Sequence, residues 1–429
     1  MTDVVVIGGG MAGLAAAERL VDSGAAVTLL EGRHRFGGRV LTEPGSLGGA
    51  PIDLGAEWIG AEGELHDLLV SSGARLVEAR GRQLRRAGRE WQDLSDLSSL
   101  ARRLVQRAHD PAAADRSLVE ALGECGIEAE ANADEVRAHL LRYVEGFHAA
   151  DPERLSVRWL AQVESTQPAE ASEIRSAGGL WPAVDALVRV IDGRCDLRLG
   201  TLVTSVRWRP GSVEIHTERG ATYRGSAAVV TVPLPLLDPA TDQPAAIRFT
   251  PTLGDKRAAA RTLPMGPVVK VVLAFRRAFW RDIESLEDAL FVHAYDQPLP
   301  TWWTASDPNL PLITGWAGGP YAARLAGAAG EALKDLSVIS LAAALGMAPR
   351  QVASQLEAWH SHDWTADPLA RGAYSYVAVG GADAWRVLAE PVSGTLYFAG
   401  EATCGGGYNA TVEGALRSGR RAAEQVLRG

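Results

Sequence analysis

Three groups of residues in this chain have the types and spacing that chemistry requires. The first is Gly8-x-Gly10-x-x-Gly13 followed by Glu31. Gly8 permits a tight turn, Gly10 lets backbone approach a pyrophosphate, and Gly13 lets a helix pack close to a strand. The helix start then offers N–H groups and a positive dipole end to phosphate. Glu31 stands where a carboxylate accepts hydrogen bonds from ribose hydroxyls, and an acid there argues against a 2′-phosphate. The second group is the loop Gly32-Arg33-His34-Arg35-Phe36-Gly37-Gly38-Arg39-Val40. Glycines beside arginines let a loop approach an anion and pair with it. The third is Lys270, alone in the apolar run 267–275. Burying an ammonium without a partner is costly. Lys270 therefore serves a ligand, closes a buried ion pair, or marks a strand with one solvated face. His360 and His362 have the spacing of a metal pair, but no further ligand cluster accompanies them, so structural histidines are the expectation.

These groups need elements to hold them. Val4 to Ile7 is a short β-branched run, suited to a parallel strand buried on both faces. Ala12, Leu14, Ala15, Ala16, Ala17, Leu20 and Val21 form the apolar stripe of a helix. Gly24 is its stop signal, and Ala26 to Leu30 is a second buried strand. Residues 62–175 are rich in Ala, Arg, Glu and Leu at helical spacing and predict a helical insertion covering the site. Strands follow at 196–199, 201–206, 212–216 and 227–233. The stretch 291–320 predicts sheet and loop with aromatic walls, most of them core. Residues 321–358 predict helices, with Leu333 onward a subunit or solvent face. A homodimer is thus one alternative, and the oligomeric state stays open. A strand ends at Gly400-Glu401, and a last helix begins near Ala410.

Composition narrows the classes. The chain has 429 residues and a formal net charge of -9. That length accommodates two or three domains, and the charge gives no basic surface to hold nucleic acid. Three cysteines, 125, 195 and 404, make neither a disulfide framework nor a zinc site. A reducing, cytoplasmic setting is the expectation. The first strand begins at residue 4, so no signal peptide is expected, and no apolar run reaches membrane-spanning length.

Taken together, Gly8-x-Gly10-x-x-Gly13, Glu31-x-Arg33, Gly37-Gly38-Arg39 and Gly55-Ala56-Glu57-Trp58-Ile59-Gly60 resemble the flavin-containing amine oxidase family, which includes monoamine oxidases, polyamine oxidases and lysine-specific histone demethylases. The resemblance implies an α/β fold: a Rossmann-type FAD-binding domain of the GR2 kind with an inserted α+β substrate domain. It divides the chain into FAD segments 1–75, 176–248 and 386–429, and substrate segments 76–175 and 249–385. It implies that Gly8, Gly10, Met11, Ala12 and Gly13 meet the cofactor's phosphates, and that Glu31, Gly32 and Arg33 lie along the adenosine diphosphate. Gly38, Arg39, Gly55, Ala56, Glu57 and Trp58 would lie on the flavin side. Val203 matches the position that meets adenine, and Thr231 passes near the flavin. Gly400, Glu401, Ala410, Thr411, Val412 and Ala415 belong to the closing strand and helix, whose N-terminus would face the flavin pyrimidine.

The resemblance also assigns roles on the reacting side. Lys270 would assist reoxidation of the flavin by oxygen. Trp364 packs near the flavin, and Tyr374 is an aromatic wall. Thr411 replaces the second tyrosine of the monoamine oxidase cage, so the cage is half open. Ala373 replaces a cysteine that bonds the flavin in covalent members, so the FAD is expected to be non-covalent. The implied reaction oxidises an amine C–N bond to an imine that hydrolyses to a carbonyl, with O2 reduced to hydrogen peroxide. Its partners are a small-molecule amine and O2, without nucleic acid or membrane. An L-amino-acid oxidase on the same scaffold and a non-catalytic FAD-binding module are the alternatives.

Overall fold

The structure is a computed structural model, and it describes residues 3–45, 51–125, 132–166, 173–238, 245–307 and 309–429. The elements that place the site, in chain order, begin with β1 (Asp3–Ile7), α1 (Met11–Asp22), β2 (Ala26–Leu30) and α2 (Glu64–Ser71). Strands β3 (Arg82–Ala87) and β4 (Glu90–Asp93) precede α3 (Ala133–Phe147), α4 (Val157–Thr166) and α5 (Trp181–Ile191). Then come β5 (Asp196–Arg198), β6 (Ala227–Val230), β7 (Val268–Phe275), β8 (Ala289–His293), β9 (Thr301–Thr304) and β10 (Leu312–Gly318). The chain closes with α6 (Gly330–Leu345), β11 (Leu356–Asp363), β12 (Leu396–Phe398) and α7 (Val412–Arg428).

Two large sheets carry the molecule. The first is parallel, in the order β5-β2-β1-β6-β12. Its central strands are apolar on both faces because both are covered, one by helices and the other by a four-stranded sheet that brings Val203, Val206, Val213 and Ile215 against it. Alternate residues divide between two cores: Val5, Ile7 and Leu30 join one, Val4, Val6 and Leu29 the other. Helices α1, α5 and α7 pack on the second. The other sheet has the order β11-β7-β10-β9-β8-β3-β4. Its β7 is buried at every position. Val269, Val271, Leu273 and Phe275 face α6, while Val268 and Val272 face the opposite way, toward Trp316, Trp364 and Tyr374. Lys270 lies on that second face, because successive strand residues alternate.

Residues 62–175 depart from the helical expectation. Besides helices the stretch forms β3, β4 and the strands Leu76–Ala79 and Glu173–Ser176. Arg82-Gln83-Leu84-Arg85-Arg86-Ala87 has one buried apolar residue, Leu84, and no strand periodicity of its own. It becomes a strand because it is paired on both edges, by β4 in a local hairpin and by β8, with Leu84 beside Val292. The β8 partner is some 200 residues away, so tertiary pairing overrides local propensity. The closing helix also starts later than expected. Ala410 has φ +67°, Thr411 is the N-cap, and the helix begins at Val412.

Candidate active site

The N-terminus of α1 is built by tight packing. Gly8 has φ +108°, and a Cβ there would lie 2.6 Å from Thr231 Oγ1. A Cβ on Gly13 would lie 1.9 Å from the Gly8 carbonyl oxygen. Only glycine allows this approach of helix to strand. Thr231 seals the turn by donating to the Ile7 and Gly8 carbonyls. Gly10 is the N-cap, with no side-chain cap and no acidic residue in the first turn. Met11 and Ala12 open the helix and are buried. Glu31, buried at the end of β2, accepts from the Gly9 N–H at 2.6 Å and the Arg33 N–H at 2.7 Å. Its carboxylate therefore faces the glycine turn. Gly32 packs against Leu369, and Arg33 pairs with Asp367 at 2.6 Å. Burial pushes the Asp367 carboxyl up, but the hydrogen bond from His362 and the Arg33 charge outweigh it and hold it at about 2. His362 is thus a partner of Asp367, and no metal-ligand cluster of three stands among the described residues. Val203 sits on a separate four-stranded sheet, buried, and reaches this edge through Thr201, whose N–H donates to the Glu31 carbonyl.

A second centre forms around Glu401. Arg39 Nη1 donates to the Ala373 carbonyl at 2.6 Å and to Glu401 Oε1 at 3.0 Å. Glu401 also accepts from the Ser375 N–H and hydroxyl and from the Ala410 N–H. One buried carboxylate thus ties together residues 39, 375, 401 and 410. Gly38, at φ +60°, brings its backbone against Gly10. Gly400 has φ +134° and donates its N–H to Ser418. Thr411 caps α7 by accepting from the Gly414 N–H, and its hydroxyl donates to the Tyr408 carbonyl. Val412 and Ala415 follow in the first turn, half-buried. A Cβ on Gly419 would lie 2.2 Å from the Ala12 carbonyl oxygen, so α1 and α7 cross in contact.

The third centre answers the question posed by Lys270. Its Nζ lies 2.8 Å from Glu57 Oε2 and 3.1 Å from the Gly55 carbonyl oxygen. Glu57 Oε1 also meets Arg175 Nη1 at 3.2 Å, and Trp303 Nε1 donates to both carboxylate oxygens. The ion-pair reading of Lys270 therefore holds, and Glu57 directs its side chain at this cluster. Burial pushes the Glu57 carboxyl up, but Lys270 and Arg175 outweigh it and lower it below the ordinary range. Nearby Asp53 is pushed up to about 6 by burial. A Cβ on Gly55 would lie 2.0 Å from the Arg39 carbonyl oxygen, and Ala56 donates to that carbonyl, so segments 39 and 55–57 are locked together. The Arg175 guanidinium lies 4.8 Å over the Trp58 ring.

The aromatic walls converge beside this cluster. Trp364 is buried and donates to the Leu54 carbonyl at 2.9 Å. Tyr374 donates its hydroxyl to the Phe147 carbonyl at the end of α3. His148, as expected, is a packed histidine, edge-on to Tyr143, Phe147 and Trp159. Arg175, Trp303 and Ser375 complete the site; Trp303 belongs to the aromatic stretch 291–320 that the sequence marks, whereas Arg175 and Ser375 were not singled out. Each stands in a short strand or loop without periodicity, and its partner lies on a remote segment.

A sequence model described as flavin containing amine oxidoreductase matches residues 11–427. Polyamine oxidase 2 of Arabidopsis thaliana is 29% identical over 98% of this chain and 87% of its own length. Lysine-specific histone demethylase 1 homolog 3, also of Arabidopsis thaliana, is 28% identical over 99% of this chain, which spans only 30% of that protein. Among solved structures, cyclohexylamine oxidase from Brevibacterium oxydans IH-35A superposes with a TM-score of 0.81 at 23% identity, covering 100% of this chain and 99% of that one. The match spans both sheets and all three centres, and the chain belongs to the family of flavin containing amine oxidoreductases, enzymes that act on the C–N bonds of amines.

Proposed function

We propose that the protein binds FAD non-covalently and oxidises a small amine, with O2 as the electron acceptor and hydrogen peroxide as the second product. The observation that carries this is the convergence of the uncapped α1 N-terminus, the Arg39–Glu401 centre and the Lys270–Glu57 pair on one family scaffold. The residues fit such a cofactor. The first turn of α1 holds no acid and no side-chain cap, which suits a diphosphate. Glu31 offers a carboxylate to ribose hydroxyls. Ala373 and its neighbours offer no thiol for a covalent bond.

When bound, FAD supplies the two-electron chemistry, and the protein supplies orientation, desolvation and electrostatics. Trp364 and Tyr374 wall the reacting space and exclude water. An apolar aromatic space favours the neutral form of the amine, which is the form that can give up a hydride equivalent from the adjoining carbon. The imine is then hydrolysed to a carbonyl and the released amine. The positive dipole end of α7, with Thr411 as its cap and Glu413 in its first turn paired with Arg417, would contribute to the electrostatics at the flavin. Lys270, held by Glu57 and Gly55, would place its ammonium to assist reoxidation by O2. The FAD segments in this reading are 1–75, 176–248 and 386–429.

Anaerobic titration of purified protein with amines and L-amino acids tests the reading. Loss of the oxidised flavin band with an amine, reversed by air with peroxide formed, is the expected result. Bleaching by amino acids alone points to an L-amino-acid oxidase, and no bleaching with flavin bound points to a binding module. Denaturation is expected to release free FAD; flavin that stays with the chain overturns the non-covalent assignment.

A further inference from the structure

Two aromatic rings, Trp316 and Tyr374, stand on the Lys270 side of the second sheet. Trp316 is the cross-strand neighbour of Lys270, so both side chains stand on one face of the sheet. Its Nε1 donates to the Gly146 carbonyl at 2.8 Å, while Tyr374 donates to the next carbonyl, that of Phe147. Consecutive carbonyls at the end of α3 therefore hold both rings, and both pack against the core cluster that contains Val268, Val272 and Trp364. Trp316 continues into Trp303 at 6.1 Å between ring centroids. Thr411 is occupied as a helix cap and supplies no ring.

Four carboxylates of this region already have partners. Glu57 is taken by Lys270 and Arg175. Glu401 is taken by Arg39, Ser375 and Ala410. Asp53 accepts from Thr42 and the Leu180 N–H. Glu145, beside the two carbonyls, interacts with Arg142 and Arg324. Among the described residues, a second ammonium on the substrate would meet Lys270 and Arg175 with each of these carboxylates engaged. Burying a charge without a partner is heavily disfavoured.

We infer that the enzyme selects monoamines whose non-reacting part is apolar and uncharged, and that Trp316, anchored on the carbonyl next to the one that holds Tyr374, is the residue that determines this specificity. The inference rests on the amine-oxidising reading above and deepens it. It separates this chain from the polyamine oxidases among its relatives, whose names specify substrates with several cationic nitrogens.

Anaerobic stopped-flow reduction of the holoenzyme tests it, with benzylamine and cyclohexylamine against putrescine and spermidine. The ratio of reduction rate to apparent Kd is expected to be roughly a hundredfold higher for the monoamines, the scale of one unpaired buried charge. Trp316→Ala is expected to weaken monoamine binding about tenfold, chiefly in Kd, since it removes one wall of an apolar pocket. Trp316→Phe is expected to restore most of that loss, and flavin content and thermal unfolding verify that both variants fold. Diamines that match the monoamines overturn the inference, as does a Trp316→Ala enzyme whose preference is unchanged. If dithionite reduces the flavin but none of the four amines does, the amine-oxidising reading falls first and this inference falls with it.

Discussion

The two ends of the candidate site are made of different material. The end around α1 is made of backbone: glycine turns, helix N–H groups and one carboxylate, all within residues 8–33. The end around Lys270 is made of side chains drawn from residues 57, 175, 270, 303, 316 and 374. Backbone geometry depends on local sequence, because positive φ and close approach require glycine at particular positions. Side-chain convergence depends on how remote segments fold together. The first end tolerates little change in residue size. The second tolerates little change in charge.

That contrast can be broken at either end. The largest effect is expected from Gly13→Val. Its Cβ would fall 1.9 Å from the Gly8 carbonyl oxygen, and no flexible neighbour can yield. The expected outcome is loss of soluble, flavin-bound protein, read by flavin absorbance after purification. A stable, yellow variant would show that the turn is not size-limited.

Glu57→Ala acts on charge. It leaves two buried cations, Lys270 and Arg175, without their carboxylate. Removing one partner of a buried pair costs about 3–5 kcal/mol, read by denaturant unfolding. Glu57→Asp is expected to recover part of this. Equal stability of Glu57→Ala and the parent would mean that solvent reaches the cluster.

Asp53 sharpens the comparison through pH. Its carboxyl is raised from 3.8 to about 6 in the folded protein, chiefly by burial. The folded state thus keeps the proton longer than the unfolded state. The stability this contributes is fully present below pH 4 and is lost as pH rises through about 6. The shift corresponds to about 3 kcal/mol. Asp53→Asn is expected to flatten the stability profile between pH 4 and 6, measured by unfolding at fixed salt. A variant that keeps the slope assigns it to another group.

The smallest effect belongs to backbone capping. Thr411→Ala removes the side-chain acceptor for the Gly414 N–H and is expected to cost about 1 kcal/mol. Thr411→Ser is expected to retain most of it. A much larger loss would give Thr411 a role in cofactor binding beyond the helix cap.

Legibility followed the same division. The strand-glycine-helix-strand-acid run was readable from its order alone, and the structure places Glu31 against the Gly9 N–H, facing the turn. Lys270 stood out because an ammonium in an apolar strand needs a partner, yet nothing in its own segment said that Glu57 is the partner. Arg175 gave no signal, since a charge in a short strand is ordinary by itself, and nothing marked Trp303 among the aromatics of 291–320 as the donor to Glu57. The strand at 82–87 reads as polar chain until β4 and β8 pair with it.

By itself, the sequence determined the parallel nucleotide-binding core, the helix terminus that opens toward phosphate and the family to which the motifs belong. Period-two and helical apolar patterns, and glycine at turns, act within a few residues and can be read there. Tertiary structure alone decided which carboxylate meets Lys270, which carbonyls hold Trp316 and Tyr374, and where α7 begins. Those outcomes depend on burial and on desolvated charge pairing between segments up to hundreds of residues apart, a property of the packed molecule that no single stretch of chain carries.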